Sequence, residues 1–445
     1  REGINLFNVR AQLDTAQLHE LNISKEPFFL HTRLTVDASG LALDSIRGRA
    51  RLNETFVSYR EESLQIDSIF VISEFDENNR KISIETNLLS AELDGNFDPT
   101  VLFRDASNLW KEFALNLKNN QEDKLVYYQE KTSEPGDYDI QYSIRLNDTK
   151  PLLDVFYPDI TISRNTMIEG RYLSGYTTIL SMNSSPDTLR WRNNYLYDNA
   201  IQLNLSKVSD STNVLAMAYV NSAEQSLENI LTRDMFLEAI WYDNHIDFES
   251  DLSQVQFQNY ARINGSIDFL DSATQIHLEP SNISVLDKTW RFDNDNYIRL
   301  TADSISINNL RLSHMGQEIG LDGVLSKDPS DVLKVNIDSI QIDILNTIIN
   351  QQLAGTINGN ANIRDYYNEM KITSEGSLTD FYIDDFLIGN LKGTNNWNNV
   401  RNWFEASINI ERQSLNILQL TGTYSPGETD DQLRMQAELN KTNLK

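Results

Sequence analysis

The sequence predicts a mostly β protein whose long, curled antiparallel β-sheet forms an open, gutter-like apolar groove, with a few short α-helices. The main observation is that apolar and polar residues alternate over most of the 445 residues. Such alternation is typical of strands with one buried face and one solvated face. Two further observations are that the alternation slips by one residue at several Asp-Ser pairs, and that helical periodicity is confined to short segments.

The alternating segments follow one another along the chain, with turn residues between them. If one strand and its turn take about 12 residues, the chain holds roughly 35 strands, many more than an open twisted sheet usually carries without curling. We therefore expect one continuous, elongated groove region over residues 1–445, with the apolar face inward. The clearest segments are Leu34–Val36, Ile66–Ile72, Ile82–Ile84, Ile160–Ile162, Ile201–Leu205, Ile263–Phe269, Leu300–Leu312, Val335–Ile342 and Ile408–Ile410.

Four Asp-Ser pairs interrupt this alternation, each preceded and followed by an apolar residue. They end at Ser45, Ser68, Ser304 and Ser339. An extra residue in a strand would turn the following apolar residues to the wrong face unless a β-bulge absorbs it. The sequence therefore predicts bulges at these pairs and a further bulge or tight turn at Asn308-Asn309.

Three segments are predicted to be helical. The strongest is 98–118, where Asp98-Pro99 suits an N-cap and first position, and apolar residues recur on one face up to Lys118. A second helix is predicted over 151–157, bounded by prolines at both ends. A third is predicted over 343–353, before a glycine. Residues 224–231 have some helical periodicity, but alternation on both sides favours a strand there.

Composition argues against several functional classes. The formal charge of −27 would repel a nucleic-acid backbone, and the absence of cysteine excludes disulfides and thiolate chemistry. The five histidines are scattered, and the chain contains no Gly-x-Ser-x-Gly or Walker motif. We therefore expect no enzymatic activity, no metal and no cofactor. No apolar run is long enough for a membrane-spanning helix.

The predicted groove is too long for its own side chains to fill, so its apolar lining needs an occupant. Acyl chains fit this need, because a lipid could keep its tails buried while its headgroup stays in solvent. The candidate lining residues are the apolar members of the alternating segments. They are Ile66, Ile69, Val71, Ile305, Ile307, Leu310, Leu312, Ile319, Leu321, Val335, Ile337, Ile340 and Ile342.

Several stretches carry a family resemblance, mainly in the second half of the chain. These stretches resemble TamB-like proteins of the AsmA-like superfamily, particularly those of the Bacteroidota. The likeness lies in an overall pattern. It is found at Leu88–Leu102, Thr289–Ile298, Ile305–Leu312, Ile319–Gly323 and Leu353–Gly359.

The resemblance implies a bridge that carries phospholipids between the inner and outer membranes across the periplasm. It also implies an outer-membrane barrel of the assembly-factor type as partner, and an N-terminal inner-membrane anchor and a C-terminal docking segment that are missing from this chain. The Asp-Ser-apolar triads at Ser45, Ser68, Ser304 and Ser339 look like acceptors for the O-glycosylation of exported proteins in that phylum. The alternative is that they are only bulges.

Two other functions remain open. One is an assembly factor or scaffold for outer-membrane β-barrel proteins, whose exposed sheet edges would pair with client strands. The other is a β-rich surface adhesin or polysaccharide-active protein. A turn of the form apolar-x-Gly recurs along the chain, for example at Leu93–Gly95, Ile168–Gly170 and Leu321–Gly323. The irregular spacing of these turns and the even spread of carboxylates count against the adhesin.

Overall fold

A computed structural model describes residues 6–17, 28–39, 47–59, 62–76, 79–118, 121–131, 134–255, 258–347, 351–428 and 431–439. The chain divides into two compact units, Arg1–Gln256 and Phe257–Lys445. The described residues form mainly β-strands, and their pairings are antiparallel, which confirms the predicted fold class. The expectation of one continuous groove over residues 1–445 stays a prediction.

Unit 1 contains fifteen strands and three helices among its described residues. Its strands pair in chain order from β1 to β7 and then through β9, β10 and β12 to β15, while the short β11 pairs with β12 and the short β8 pairs with β11. The strands are β1 Leu6–Gln17, β2 Phe28–Ser39, β3 Arg47–Tyr59, β4 Glu62–Asp76, β5 Asn79–Thr86, β6 Leu89–Gly95, β7 Tyr138–Leu146, β8 Ile160–Ile162, β9 Thr166–Ser174, β10 Thr177–Ser184, β11 Thr188–Trp191, β12 Asn194–Val208, β13 Leu215–Leu227, β14 Ile230–Tyr242 and β15 His245–Gln254. The helices are α1 Pro99–Lys118, α2 Gln121–Glu130 and α3 Lys150–Phe156.

Unit 2 is a second antiparallel arrangement, in which β21 to β29 pair strictly in chain order. Its strands are β16 Tyr260–Leu270, β17 Ala273–Leu278, β18 Asn282–Val285, β19 Lys288–Phe292, β20 Tyr297–Leu300, β21 Ser304–His314, β22 Gln317–Ser326, β23 Val332–Gln341, β24 Leu353–Arg364, β25 Lys371–Ile383, β26 Phe386–Asn398, β27 Trp403–Arg412, β28 Leu415–Tyr424 and β29 Leu433–Leu439. A short 3-10 helix, Ile342–Thr347, lies between β23 and β24.

Two of the three predicted helices are present. Helix α1 begins where predicted, because the Asp98 carboxylate accepts hydrogen bonds from the Thr100 backbone N–H (2.7 Å) and hydroxyl. Both bonds lower the pKa of Asp98, and the bond from the Thr100 hydroxyl has the larger effect. Helix α3 covers the predicted 151–157 segment within one residue at each end. The strand favoured over 224–231 is correct for 224–227 and 230–231, and Glu228-Asn229 form the turn between β13 and β14.

The predicted α-helix over 343–353 is wrong. A 3-10 helix occupies 342–347, and Leu353 already belongs to strand β24. Residues 348–350 of the predicted helix lie outside the described residues. The Asn346 side chain ties the 3-10 helix to the first residue of β24, because its Oδ1 accepts from the Leu353 backbone N–H at 2.7 Å and its Nδ2 donates to the Leu353 carbonyl at 3.0 Å.

The predicted bulges have mixed outcomes. Ser339 forms a bulge in β23, with φ of 57° and a register shift between Ile337 and Ile340, and Asn309 does the same in β21 with φ of 48°. Ser304 instead begins β21 after a turn, where its carbonyl accepts from the Thr301 backbone N–H. The bulge predicted there is wrong, because the extra polar residues are used in the turn. Ser45 lies outside the described residues.

The Asp67-Ser68 slip is accommodated across two strands. Strand β3 carries an extra residue, Glu54 with φ of 53°, and its register against β2 shifts at this level. Ile66 then faces Thr55, and Ile69 faces Leu52, so both isoleucines stay with the apolar residues of β2 on one face. The predicted restoration of the apolar face is therefore correct, although β3 and β4 keep a constant register with each other.

Candidate functional site

A continuous apolar row crosses unit 1. Residues that face each other directly in an antiparallel pair lie on the same side of the sheet. Following these pairs from β1 to β14 crosses twelve strands, or roughly 53 Å at about 4.8 Å per strand, and meets apolar side chains at every position but one. The row is Val9, Val36, Ala50, Val71, Ile84, Ala91, Ile144, Ile168, Ser184, Ile201, Val220 and Leu237.

Helix α1 lies on this same apolar face. Leu102, Leu109 and Phe113 are buried in a cluster with Ile140 and Tyr172 of the sheet. Near the other end of the helix, the Phe113 ring packs edge-on against Trp241 of β14, with ring centroids 5.8 Å apart. The helix therefore runs across the strands, along the row.

An apolar cavity of about 510 Å³ separates part of α1 from the sheet. Eight strands, from β6 to β15, contribute lining residues to this one cavity. Eight neighbouring strands can line one cavity because α1 runs across them rather than along them. The lining residues are Leu93, Leu102, Ala106, Leu109, Trp110, Phe113, Ala114, Leu117, Ile140, Tyr142, Ile144, Tyr172, Leu180, Leu203, Leu205, Ala216, Ala218, Ala239, Trp241 and Ile246.

The predicted lining residues of unit 1 join this face but lie away from the cavity. Ile66 is buried with Leu64, Val57 and Leu88 in a small cluster that Leu152 and Val155 of α3 cover. Ile69 packs against the same cluster, and Val71 belongs to the long row. Sequence reasoning missed the cavity because its walls come from residues more than 100 positions apart.

The predicted lining residues of unit 2 also assemble on one face. Leu312, Ile319 and Ile337 form one row across β21–β23, and Leu310, Leu321 and Val335 form the next. Most of these side chains are half-buried, whereas Ile319 is exposed. Among the described residues of unit 2 the only helical segment is the 3-10 helix, so this face is covered by no α-helix.

The remaining predicted lining residues of unit 2 flank these rows. Ile305 faces Leu325 and Leu300, and Ile307 faces Gly323 and Ile298. Ile340 pairs with Ile357 after the Ser339 bulge, and Ile342 is buried at the start of the 3-10 helix. All ten predicted positions therefore belong to one region of unit 2, although Ile342 is no longer in a strand.

The three described serines proposed as O-glycosylation sites, Ser68, Ser304 and Ser339, are all half-buried. Ser68 faces Asn53, and the Ser304 hydroxyl lies 2.9 Å from that of Thr301. The Ser339 hydroxyl donates to the adjacent Asp338 carboxylate at 2.7 Å. The hypothesis of modification at these serines stays a prediction.

A buried charged cluster fixes the other side of α1. Glu112 is only 3% exposed, and its carboxylate lies 2.8 Å from Lys131 Nζ and 3.3 Å from Lys207 Nζ. Tyr127 of α2 donates its hydroxyl to the same carboxylate at 3.0 Å. Lys124 donates to the Asn116 side chain at 2.7 Å. Burial lowers the pKa of Lys207 and of Lys124, although a nearby carboxylate raises each pKa, Glu112 for Lys207 and Asp243 for Lys124.

Sequence reasoning missed this cluster too, although a signal existed. Asp105, Glu112 and Asn116 recur at helical spacing next to the apolar stripe of α1, and all three are buried. Asp105 accepts from the Gly136 backbone N–H at 2.8 Å and from the Tyr138 hydroxyl at 3.2 Å. A polar stripe flanking the apolar one indicates a helix that is packed on two sides.

Buried tyrosines near α1 give a test of this packing. Burial raises the pKa of Tyr172 to about 12 and raises that of Tyr138 further. Because an unfolded tyrosine ionises near pH 10, the unfolded state binds fewer protons above that pH, and stability should fall as pH rises through 10. The slope from each tyrosine should grow from near zero at pH 8 towards about 1.4 kcal/mol per pH unit above pH 10.

Urea unfolding at several pH values between about 8 and 11 measures this slope. The double change Tyr138→Phe and Tyr172→Phe should flatten it, whereas Tyr157→Phe, at an exposed position, should not. Equal slopes in the two variants would contradict the packing described.

No protein-family model matches the chain, and no curated protein matches it. Within the described residues, no three His, Asp or Glu side chains are grouped as metal ligands would be. None of the described helices has both the length and the apolar content that crossing a bilayer would need.

Proposed function

We propose that this protein binds phospholipids by their acyl chains along its apolar faces and carries them between membranes. The observation that supports this most is the apolar row of unit 1, which continues over twelve strands with one interruption at Ser184. A row of this length gives an acyl chain many similar positions, so a bound lipid could move along it without leaving the apolar surface.

Energetics favour such a role. Burying one CH₂ group is worth about 0.8 kcal/mol, so a phospholipid with about 30 methylenes would need on the order of 24 kcal/mol to enter water. A carrier lowers this barrier if the tails stay on an apolar surface while the headgroup remains solvated. The resemblance to TamB-like proteins supports a periplasmic location, an inner-membrane anchor and an outer-membrane barrel as partner.

Mass spectrometry of organic extracts from the gently purified chain tests the proposal. We expect more than one phospholipid per chain. A folded sample with no extractable lipid and no uptake from labelled phospholipid vesicles would contradict it.

A pair of matched variants tests whether the face of unit 2 takes part. Replacing Ile305 and Ile307 by Asp places two charges among the half-buried residues of the apolar face, where acyl chains would have to pass them. Moving methylenes past desolvated carboxylates adds a barrier of several kcal/mol, so transfer between vesicles should slow roughly a thousandfold at about 4 kcal/mol. Ser304→Asp with Ser306→Asp, on the opposite face of β21, should transfer lipid like the parent.

One observation favours a second candidate, an assembly scaffold for outer-membrane β-barrel proteins. In the described residues β29 pairs only with β28, and all seven of its residues are exposed. Such an edge strand can accept another strand by β-augmentation. Equal lipid transfer in the Ile305 and Ser304 double variants, together with capture of a β-strand peptide by β29, would favour the scaffold.

A further inference from the structure

The cavity between α1 and the sheet of unit 1 differs from the rest of the apolar face, because it has walls on both sides. We infer that this cavity is a binding site for one linear acyl chain, held at a fixed position. The inference rests on the proposed lipid function and narrows it to one site and one part of the lipid.

The residues that line the cavity favour a hydrocarbon ligand. None of its twenty residues is charged, and the hydroxyl of Tyr142 already donates to the Ser181 carbonyl at 2.8 Å. A ligand group inside the cavity would therefore find few hydrogen-bond partners, which excludes a headgroup there. Apolar cavities of about 150 Å³ stay dry and bind small hydrocarbons, and this one holds about 510 Å³.

Small side chains create the space. Five alanines line the cavity: Ala106 and Ala114 on the helix, and Ala216, Ala218 and Ala239 on the sheet. Ala218 and Ala239 are direct partners on β13 and β14. Larger side chains at these positions would fill the gap between the helix and the sheet, so the free volume depends on this set of alanines.

The shape fits a linear chain. Lining residues extend along α1 from Leu102 to Leu117, which is about 22 Å at about 1.5 Å per residue. One leaflet of a bilayer is about 15 Å deep in its hydrocarbon part, so an extended acyl chain has room along the helix.

The cavity has one open side. Trp110 and Leu117 line it and are also 76% and 58% exposed, which places them at its mouth. The other side of α1 is closed by the Glu112 cluster with Lys131 and Lys207. A chain can therefore enter past Trp110 and leave its headgroup in solvent.

The experiment fills the cavity and measures binding of a single-chain probe. The variant is Ala218→Phe with Ala239→Phe, and its control is Ala200→Phe with Ala223→Phe, which changes exposed alanines of β12 and β13. The probe is dodecanoic acid with a terminal bromine, which quenches the fluorescence of nearby tryptophans such as Trp110 and Trp241. We expect one equivalent that quenches these tryptophans to bind tightly to the parent and the control, beside weaker binding on the open apolar faces, and at least tenfold weaker binding at the quenching site in the cavity variant.

The outcomes separate this site from the proposed function. Equal probe affinity in the cavity variant and its control would overturn the inference, and so would a parent that carries extractable phospholipid but does not bind the probe. If the double variant does not fold, Ala218→Leu alone serves, and its unchanged affinity would also overturn the inference. A parent that binds neither phospholipid nor probe would overturn both proposals.

Discussion

Replacing Leu109 and Phe113 by Asp is expected to lower the free energy of unfolding of unit 1 by more than about 5 kcal/mol. Both side chains are buried where α1 meets the sheet. Truncating a buried Leu or Phe alone costs about 2–5 kcal/mol, and each Asp adds the cost of an unpaired charge in an apolar contact. Urea unfolding of the full chain, followed by tryptophan fluorescence, measures the change.

The control uses the same helix and the same substitution. Phe103 and Leu117 are 72% and 58% exposed, so Phe103→Asp with Leu117→Asp should change the free energy of unfolding by less than about 1 kcal/mol. Similar losses in the two double variants would mean that α1 is not docked as described.

Replacing Glu112 by Gln is expected to cost about 3–5 kcal/mol, because it leaves the Lys207 ammonium buried without its counter-charge. Both side chains are almost fully buried, at 3% and 2% exposure. The loss should shrink as the pH rises. Burial lowers the pKa of Lys207 in the folded state, so the unfolded state binds more protons below its own pKa near 10.4, and stability increases with pH in that window.

Removing the stranded charge should rescue this variant. Glu112→Gln combined with Lys207→Met should regain most of the lost stability at pH 7, since an apolar replacement of a buried ion pair is often neutral. Asp154→Asn, which breaks the exposed pair with Lys150, should cost less than about 1 kcal/mol. A Glu112→Gln variant that unfolds like the parent would show that the cluster does not hold α1.

Local signals account for what could be predicted from the sequence. Helix α1 was predictable because Asp98-Pro99 and the regular apolar stripe lie within one segment. The Ser339 bulge was predictable because the alternation has to be restored within one strand. Helix α2 was not predictable, because its two apolar residues Leu125 and Val126 are exposed and its buried residue is Lys124. The wrong prediction at 343–353 also reflects contacts outside the segment, because pairing with β23 and β25 stabilises strand β24.

The candidate site divides in the same way. Alternation placed Ile305, Ile307 and their neighbours on one face, because a face is a property of each strand separately. It could not locate the cavity, which α1 and eight strands line together, or the cluster that joins Glu112 to Lys207. Contacts of this kind depend on how far the sheet curls, and the curl is a property of many strands together.

The order of the strands in unit 2 has a consequence for how such a protein changes over time. In the part of the chain that the structure describes, each strand from β22 to β28 pairs only with its predecessor and its successor. Duplicating or deleting one hairpin would leave every other pairing intact and change the width of the sheet by about 9.6 Å. Insertion and deletion of whole hairpins can therefore change the width of the sheet without changing the side chains on either face.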